Sequence, residues 1–246
     1  MGLFDFFKKK ESLPNFELAY IGIDMHSHLI PGIDDGSPSM DHTIAMLSKF
    51  KELGYKKVIT TPHIMSHGFP NTPEIIREGL AAVKKEITKI GLDIEIEAAA
   101  EYYFDETLFL KIQNKELLTF GDNYVLIEFA FYSPPQFTDK LFFELKSNGY
   151  KPVIAHFERY IYYLGRIDIA ELWRSEGINI QINLNSLTGH YGPDIQKQAE
   201  RLIDAVAFDF VGTDCHRIEH LMLLQEHLQL PYFHKLGSFL LKNKQL

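Results

Sequence analysis

The stretch "IDMHSHLIPGIDDGSPSM", residues 23–40, decides how the rest of the chain is read. An apolar run ends inside it, two histidines one residue apart follow, and two adjacent aspartates lie in a Gly/Pro-rich segment before a helical pattern starts at Met40. Side chains alternate along an extended backbone with period two, so His26 and His28 share one face. Two imidazoles on one face at a strand end suit chelation of a single cation. The local unit is strand, polar loop, helix.

The unit recurs. Short apolar, β-branched segments stand at 20–24 (YIGID), 57–61 (KVITT), 94–101 (IEIEAAAE), 124–129 (YVLIEF), 152–156 (PVIAH), 178–183 (INIQIN) and 208–213 (FDFVGT), and each reads as a strand. Amphipathic stretches with helical spacing separate them, at 40–53, 72–90, 137–147, 167–176 and 193–205. Strands alternating with helices pair in parallel, and right-handed crossovers curl the sheet in one direction. Seven such units predict an α/β fold, a TIM-type barrel with one strand fewer than eight. No linker, composition break or internal repeat interrupts the series, so one barrel domain is expected over 19–246, preceded by an N-terminal tail, 1–18.

Bulk properties narrow the function. At 246 residues and 46% hydrophobic composition the chain can bury one large core. A net charge of -8 argues against a general nucleic-acid binder, which needs a basic stripe against phosphates. The single cysteine, Cys215, excludes an intrachain disulfide and a cysteine-based zinc module, and suits a reducing, cytoplasmic compartment. No apolar run approaches the length of a membrane span, and no signal-peptide pattern opens the chain. The start, "MGLFDFFKKKE", pairs aromatic residues with lysines but is too short for stable anchoring, and Phe6 stands where a myristoylation pattern wants Ser or Thr. A frayed or loosely packed terminus without stable membrane insertion is expected there.

Polar residues fall on the rhythm in one way. His26 and His28 follow the first strand, His63 the second, Glu101 closes the third, Glu128 the fourth and His156 the fifth, and Asp214 and His216 follow the seventh. All are at C-terminal strand ends, which in a β/α barrel converge on the face that carries the active site. Asp34 or Asp35 adds a carboxylate from the first loop. A lone histidine at a strand end is usually a surface or packing residue; convergence from six segments makes that reading poor here. Glu128 ends an apolar strand, where burial is costly unless a cation or hydrogen bonds compensate. His42, on a helical stretch, and His67, His190, His220, His227 and His234, without strand-end context, are read as surface or packing residues, with His67 and His190 in loops that can overhang the mouth. Nine donors exceed the three or so that one catalytic zinc takes. Two or three metals are implied, and imidazole with carboxylate but no thiolate fits zinc, manganese or iron.

Taken together, "DMHSHLIPGIDDG", "TPH", "AAAEYY", "LIEF", "IAHFERY" and "GTDCH" resemble the PHP (polymerase and histidinol phosphatase) superfamily, and within it the bacterial tyrosine phosphatases of the CpsB/YwqE type, over residues 23–216. The resemblance implies a distorted (β/α)7 barrel with three divalent metals, manganese favoured. It assigns His26, His28, Glu101 and Asp214 to one metal, Glu101 as a bridge with Glu128 and His156 to a second, and Asp35, His63 and His216 to the third. It places a phosphate-binding arginine at Arg159, with Asp214 and His216 also in the catalytic set. A further family arginine is missing at its usual spacing: Leu221 stands near there, and Arg217, immediately after His216, is the substrate-binding candidate in its stead. The implied partner is the tyrosine-phosphorylated tail of the autophosphorylating kinase that governs capsule or exopolysaccharide export. The sequence specifies no oligomeric state.

Such a site would hydrolyse phosphomonoesters. A phenolic leaving group, with a pKa of about 10, needs less protonation than an alkyl alcohol and favours phosphotyrosine. A small-molecule phosphatase of the histidinol-phosphatase type would share the metals, and a non-catalytic metal-binding protein would bind them without turnover. Cys215 lacks the C-x5-R loop of a thiol phosphatase, since Leu221 occupies the arginine position.

Overall fold

The computed structural model describes residues 13–246; the expectation for the aromatic and lysine-rich start falls on 1–12, outside the described residues. Among the described residues nine parallel strands follow in order: β1 (Ile23–Asp24), β2 (Lys57–Thr60), β3 (His63–Ile64), β4 (Glu95–Ala98), β5 (Glu101–Tyr103), β6 (Tyr124–Glu128), β7 (Lys151–Ile154), β8 (Asn179–Asn183) and β9 (Phe210–Gly212). β1, β2 and β4 form one sheet, and β3, β5, β6, β7, β8 and β9 the other. β2 and β3 are successive pieces of one stave and β4 and β5 of the next, so the staves number seven. A parallel bridge between Ser27 and Cys215, with His28 N–H donating to Cys215 O at 2.8 Å, joins the first stave to the last.

The interruption in the second and third staves differs from the expected continuous strands at 57–61 and 94–101, and Pro62 explains it. Proline has no N–H to give the ladder. The chains stay adjacent across the gap, with Ala99 N–H donating to Thr60 O at 2.9 Å and Glu101 N–H to Pro62 O at 3.1 Å. The first strand is also shorter than expected, because residues 18–20 turn as a 3-10 helix and Gly22 takes a left-handed φ of 73°.

Helices α1 (Met40–Glu52), α2 (Pro73–Ile90), α4 (Thr138–Ser147), α5 (Ile167–Ser175) and α6 (Pro193–Asp204) match the five expected ones. α3 (Leu108–Gln113), α7 (Ile218–Glu226) and α8 (Pro231–Leu236) have no sequence counterpart. Six residues are too few to show a 3.6 period in α3 and α8, and α7, "IEHLMLLQE", is too apolar to show a stripe. Among the described residues no helix is long and apolar enough to cross a membrane.

Strand alternation divides the core into two layers. Outward residues such as Val125, Ile127, Ile154, Ile180 and Ile182 join the large cluster under the helices, to which Phe16 and Leu18 also belong. Inward residues Met25, Ile59, Ala99, Phe120, Leu126, Val153, Ala155 and Phe210 form a separate apolar plug inside the barrel. Above the plug, the same inward parity presents Glu101, two residues beyond Ala99, and Glu128, two beyond Leu126. The fold therefore supplies a dry apolar floor with polar groups directly over it.

The barrel leaves no room at Gly212, where a Cβ would lie 2.7 Å from His26 Cβ and 3.1 Å from Gln181 Nε2. Gly212→Ala should destabilise the protein by about 1–3 kcal/mol through overpacking, read as a lower denaturant midpoint. An unchanged midpoint would show that β9 and the segment after β1 are not packed this closely.

Candidate metal centre

The nine sequence-predicted donors meet at the C-terminal mouth. His26 Nε2 lies 3.1 Å from Glu101 Oε2 and 3.3 Å from Asp214 Oδ1. His28 Nε2 lies 3.3 Å and 3.5 Å from the same two oxygens. His156 Nε2 is 3.1 Å from Glu101 Oε1 and 3.6 Å from Glu128 Oε1, while His63 Nδ1 is 3.3 Å from Glu101 Oε2 and 3.7 Å from Glu128 Oε2. Asp35 Oδ1 faces His63 Nε2 at 3.6 Å and His216 Nε2 at 3.5 Å. Four overlapping groups have donor atoms mutually within 4.8 Å: His28, Asp35, His63 and His216; His26, His28 and Asp214; His26, Glu101 and His156; His63, Glu101 and Glu128. Every one of the nine belongs to at least one group, and His26, His28, His63 and Glu101 each belong to two.

The residues fit divalent cations on geometry of their own. His63 Nδ1 is buried without a hydrogen-bond partner although it points at two carboxylates. The two Nε2 atoms of His26 and His28 lie 3.4 Å apart and face the same carboxylates. Their other ring nitrogens are occupied: His26 Nδ1–H donates to Gln181 Oε1 at 3.1 Å and His28 Nδ1–H to Asp34 Oδ2 at 2.7 Å. Bonds of that kind fix the tautomer and leave the Nε2 lone pair for a cation. His216 Nδ1–H donates to Asp214 O at 2.9 Å, with the same effect.

The adjacent aspartates separate by role. Asp34 also accepts from His63 N–H at 3.1 Å and Gly36 N–H at 3.0 Å, so it braces the loop, whereas Asp35 faces the imidazoles of the mouth. Gly36 permits this: a Cβ there would lie 2.3 Å from His28 O. Two donors sit in left-handed backbone, His156 at φ 31° and Asp214 at φ 50°. Ala155 points into the barrel, so regular alternation would send His156 outward among the helices; the left-handed turn brings it back.

Residues on β8 complete the shell, and sequence reading missed them. Gln181 Oε1 also accepts from His156 N–H at 2.7 Å, Gln181 Nε2 donates to Asn183 Oδ1 at 2.8 Å, and Asn183 Nδ2 donates to Asp214 Oδ2 at 2.8 Å. The signal was present in "NIQIN", where amides recur with period two inside a fully buried strand. His220 was read as a surface or packing residue; it is buried, with Nδ1 3.4 Å from Asp214 O, and lines the cavity above the centre with His42 and His190. His67 pairs with Glu106 at 3.0 Å, away from that cavity.

The cavity over the donors has a volume of about 570 Å³. Arg159 stands in its wall: Nη1 donates to Asp214 Oδ2 at 2.8 Å, and the guanidinium carbon lies 4.4 Å from the Phe131 ring centre and 4.3 Å from that of Tyr191. The neighbouring Glu158 is not its partner: Glu158 is buried and accepts from Asn183 N–H and Ser186 Oγ–H. Arg217 is exposed and also lines the cavity, whereas Leu221 is fully buried in the core.

Burial and charge divide the protons. Burial opposes ionisation of Glu101, yet the imidazoles of His26, His63 and His156 hold it well below the usual carboxylate range. Burial, and then the charges of Glu101 and Asp214, push Glu128 well up. Burial alone would depress His28, but hydrogen bonds to Asp214, Asp34 and Glu101 reverse it and hold its pKa well above the ordinary value. His156 is lowered to about 4 by burial and the Arg159 charge.

A closed parallel barrel with overlapping imidazole and carboxylate groups at its C-terminal mouth defines a metal-dependent hydrolase class of protein. The chain belongs to the CpsB/CapC family of capsular polysaccharide synthesis, whose profile matches residues 22–222. It is 29% identical over 230 residues to CapC of Staphylococcus aureus, covering 90% of this chain and 89% of that protein. It is 29% identical over 221 residues to the tyrosine-protein phosphatase YwqE of Bacillus subtilis, covering 85% and 87%. A solved structure from the work on YwqE of Bacillus subtilis and CpsB of Streptococcus pneumoniae, described as unique metal-dependent tyrosine phosphatases, superposes with a TM-score of 0.75 at 27% identity, covering 90% of this chain and 94% of that one.

Two predictions follow from the shell and its protons. Gln181→Leu removes the acceptor for His26 Nδ1–H and should weaken metal affinity by about 10- to 100-fold, measured by titration of the metal-free protein; unaltered affinity would relieve Gln181 of that role. The raised pKa values of His28 and Glu128 mean that each keeps its proton to higher pH than usual and that a cation must displace it, so metal affinity should rise with pH until both are deprotonated. Calorimetric heats should accordingly depend on the ionisation enthalpy of the buffer, and buffer-independent heats would contradict the proton assignment.

Proposed function

We propose that the chain is a metal-dependent protein-tyrosine phosphatase acting on the autophosphorylating tyrosine kinase of capsule or exopolysaccharide synthesis, in the cytoplasm. The observation that carries the reading is the convergence of nine imidazole and carboxylate donors in four overlapping groups with the Arg159 guanidinium beside them, in a family whose relatives bear that activity in their names. The enzyme is a phosphoric monoester hydrolase. Three ions, manganese favoured over iron or zinc, are the proposed complement. His26, His28, Glu101 and Asp214 would hold the first, Glu101, Glu128 and His156 the second, and Asp35, His63 and His216 the third. The overlap of the four groups at Glu101 and His28 supports a shared cluster over isolated sites.

When bound, such cations draw charge from phosphoryl oxygens and lower the pKa of water towards neutrality. The protein's own residues do the rest. Arg159 gives one N–H to Asp214 and retains others for a planar fork onto phosphate, which a lysine cannot reproduce. The flanking rings of Phe131 and Tyr191 restrict the guanidinium to one plane. Asp214 links Arg159, Asn183 and the imidazole of His26, so phosphate position and donor position are set by one carboxylate. The apolar plug closes the barrel from below and leaves approach only through the mouth. Arg217 is the second candidate for phosphate contact at the rim.

Metal analysis of the purified protein combined with turnover of a phosphotyrosine peptide and of histidinol phosphate tests the reading. Metal-dependent turnover of the peptide is expected; preference for histidinol phosphate would move the enzyme to small-molecule substrates, and metal without turnover would leave a binding protein.

Arg159→Ala should leave metal content unchanged and lower kcat/KM by about 10- to 1000-fold, a loss of about 1.4–4 kcal/mol of transition-state stabilisation; kinetics near those of the parent would remove Arg159 from phosphate binding. Cys215 is buried against Met46 in the outer core, and burial pushes its thiol well above the ordinary range. Cys215→Ala should therefore retain most activity. Loss of several orders of magnitude with metals still bound would overturn the hydrolytic-metal mechanism.

A further inference from the structure

Beside the catalytic cavity lies a smaller one of about 200 Å³, lined by Phe131, Tyr132, Arg159, Ile161, Tyr191 and Ile195. The two cavities share Phe131, Arg159 and Tyr191, so the sandwiched guanidinium is the wall between them. The far side of that wall is apolar. Tyr132 is 81% exposed and Ile161 45% exposed, large apolar side chains at the rim of this smaller cavity. The notch is preformed, because Ile161 N–H donates to Phe131 O at 3.3 Å and ties its two sides together, and Ile195 is buried at the start of α6. Phosphate held at Arg159 makes no use of Tyr132, Ile161 or Ile195.

We propose that this notch is a specificity subsite for an apolar side chain of the peptide substrate, two residues from the phosphotyrosine. The inference rests on the tyrosine-phosphatase reading. In an extended peptide, side chains at i and i±2 project to the same face, about 6.6 Å apart. A peptide whose phosphotyrosine enters the main cavity therefore crosses the ridge of Phe131, Arg159 and Tyr191 and presents its i+2 or i−2 side chain to the adjoining notch. Apart from Arg159, which faces phosphate and Asp214, the notch offers no charged partner, so an aliphatic or aromatic side chain suits it. Small phosphomonoesters do not reach it.

The test uses the metal-loaded full chain with phosphotyrosyl peptides that differ only by Leu or Ser at i+2 or at i−2, and p-nitrophenyl phosphate as the small aryl substrate. Leu at one of the two positions should raise kcat/KM about tenfold over Ser, equivalent to about 1.4 kcal/mol. The double variant Tyr132→Ser, Ile161→Ser should lose that preference while its kcat/KM on p-nitrophenyl phosphate stays within about twofold of the parent. Tyr132→Ser alone, at a largely exposed position, should lose part of the preference without affecting folding. No preference at either position, a preference that survives the double variant, or an equal fall on p-nitrophenyl phosphate would each overturn the subsite. In those cases peptide turnover by the parent protein leaves the phosphatase reading standing; failure to turn over any aryl phosphate removes that reading and the subsite with it.

Discussion

Three carboxylates and four imidazoles buried together set the terms for the whole molecule. Glu101, Glu128, Asp214, His26, His28, His63 and His156 are all buried. An ionised carboxylate costs several kcal/mol to bury without compensation, and three together cannot all ionise unless positive charge accompanies them. Burial and the neighbouring carboxylates push the pKa of Glu128 well up, hydrogen bonds to carboxylates hold that of His28 well above its ordinary value, and the imidazoles hold Glu101 and Asp214 well below the usual carboxylate range. The amide chain from Gln181 through Asn183 to Asp214 then serves two ends: it satisfies polar atoms that would otherwise be buried without partners, and it aims the donors.

The same demand explains where the backbone departs from regular geometry. A left-handed non-glycine residue costs on the order of 1–3 kcal/mol, and both His156 and Asp214 sit in that region. Each closes a stave at the point where its side chain must face the centre. At His156 the turn reverses the parity of β7, and Gln181 Oε1 receives the backbone N–H that the reversal frees from the ladder. At Asp214 the backbone N–H donates to His26 O at 2.8 Å, so the strained residue is held by the stave it closes against. Strain at each position is thereby held by a backbone N–H bond to a neighbouring stave.

These relations show why some of the protein was legible in its sequence. The barrel was readable because period-two and period-3.6 patterns alternate, and five helices and the seven staves fall where the pattern puts them. The donors were readable because strand ends of a parallel barrel converge whatever the intervening loops do, so His63 and Glu128 could be placed together from 65 positions apart. Gln181 and Asn183 were not readable as outer partners, since an amide inside a strand carries no sign of which histidine it faces. His220 was hidden for a related reason. It lies on α7, whose apolar composition masks its period, and only the packing of that helix brings its imidazole to Asp214 O. The division of labour between Asp34 and Asp35 needed the loop itself, because two adjacent carboxylates are equivalent until Gly36 lets the backbone fold against His28.

Arg159 shows how the centre and the surface are joined. Its guanidinium is bound on one edge by Asp214, which belongs to the donor cluster, and on both faces by aromatic rings that belong to the rim. A cation placed so close to the centre lowers His156 and helps keep that imidazole unprotonated and available as a donor. It also offsets the negative charge that a phosphate would otherwise meet at Asp214. The two rings cover part of the guanidinium, which strengthens its remaining electrostatic interactions by lowering the local dielectric. One side chain thus tunes the donors, offsets the charge of the incoming group and forms the wall along which a larger substrate must lie.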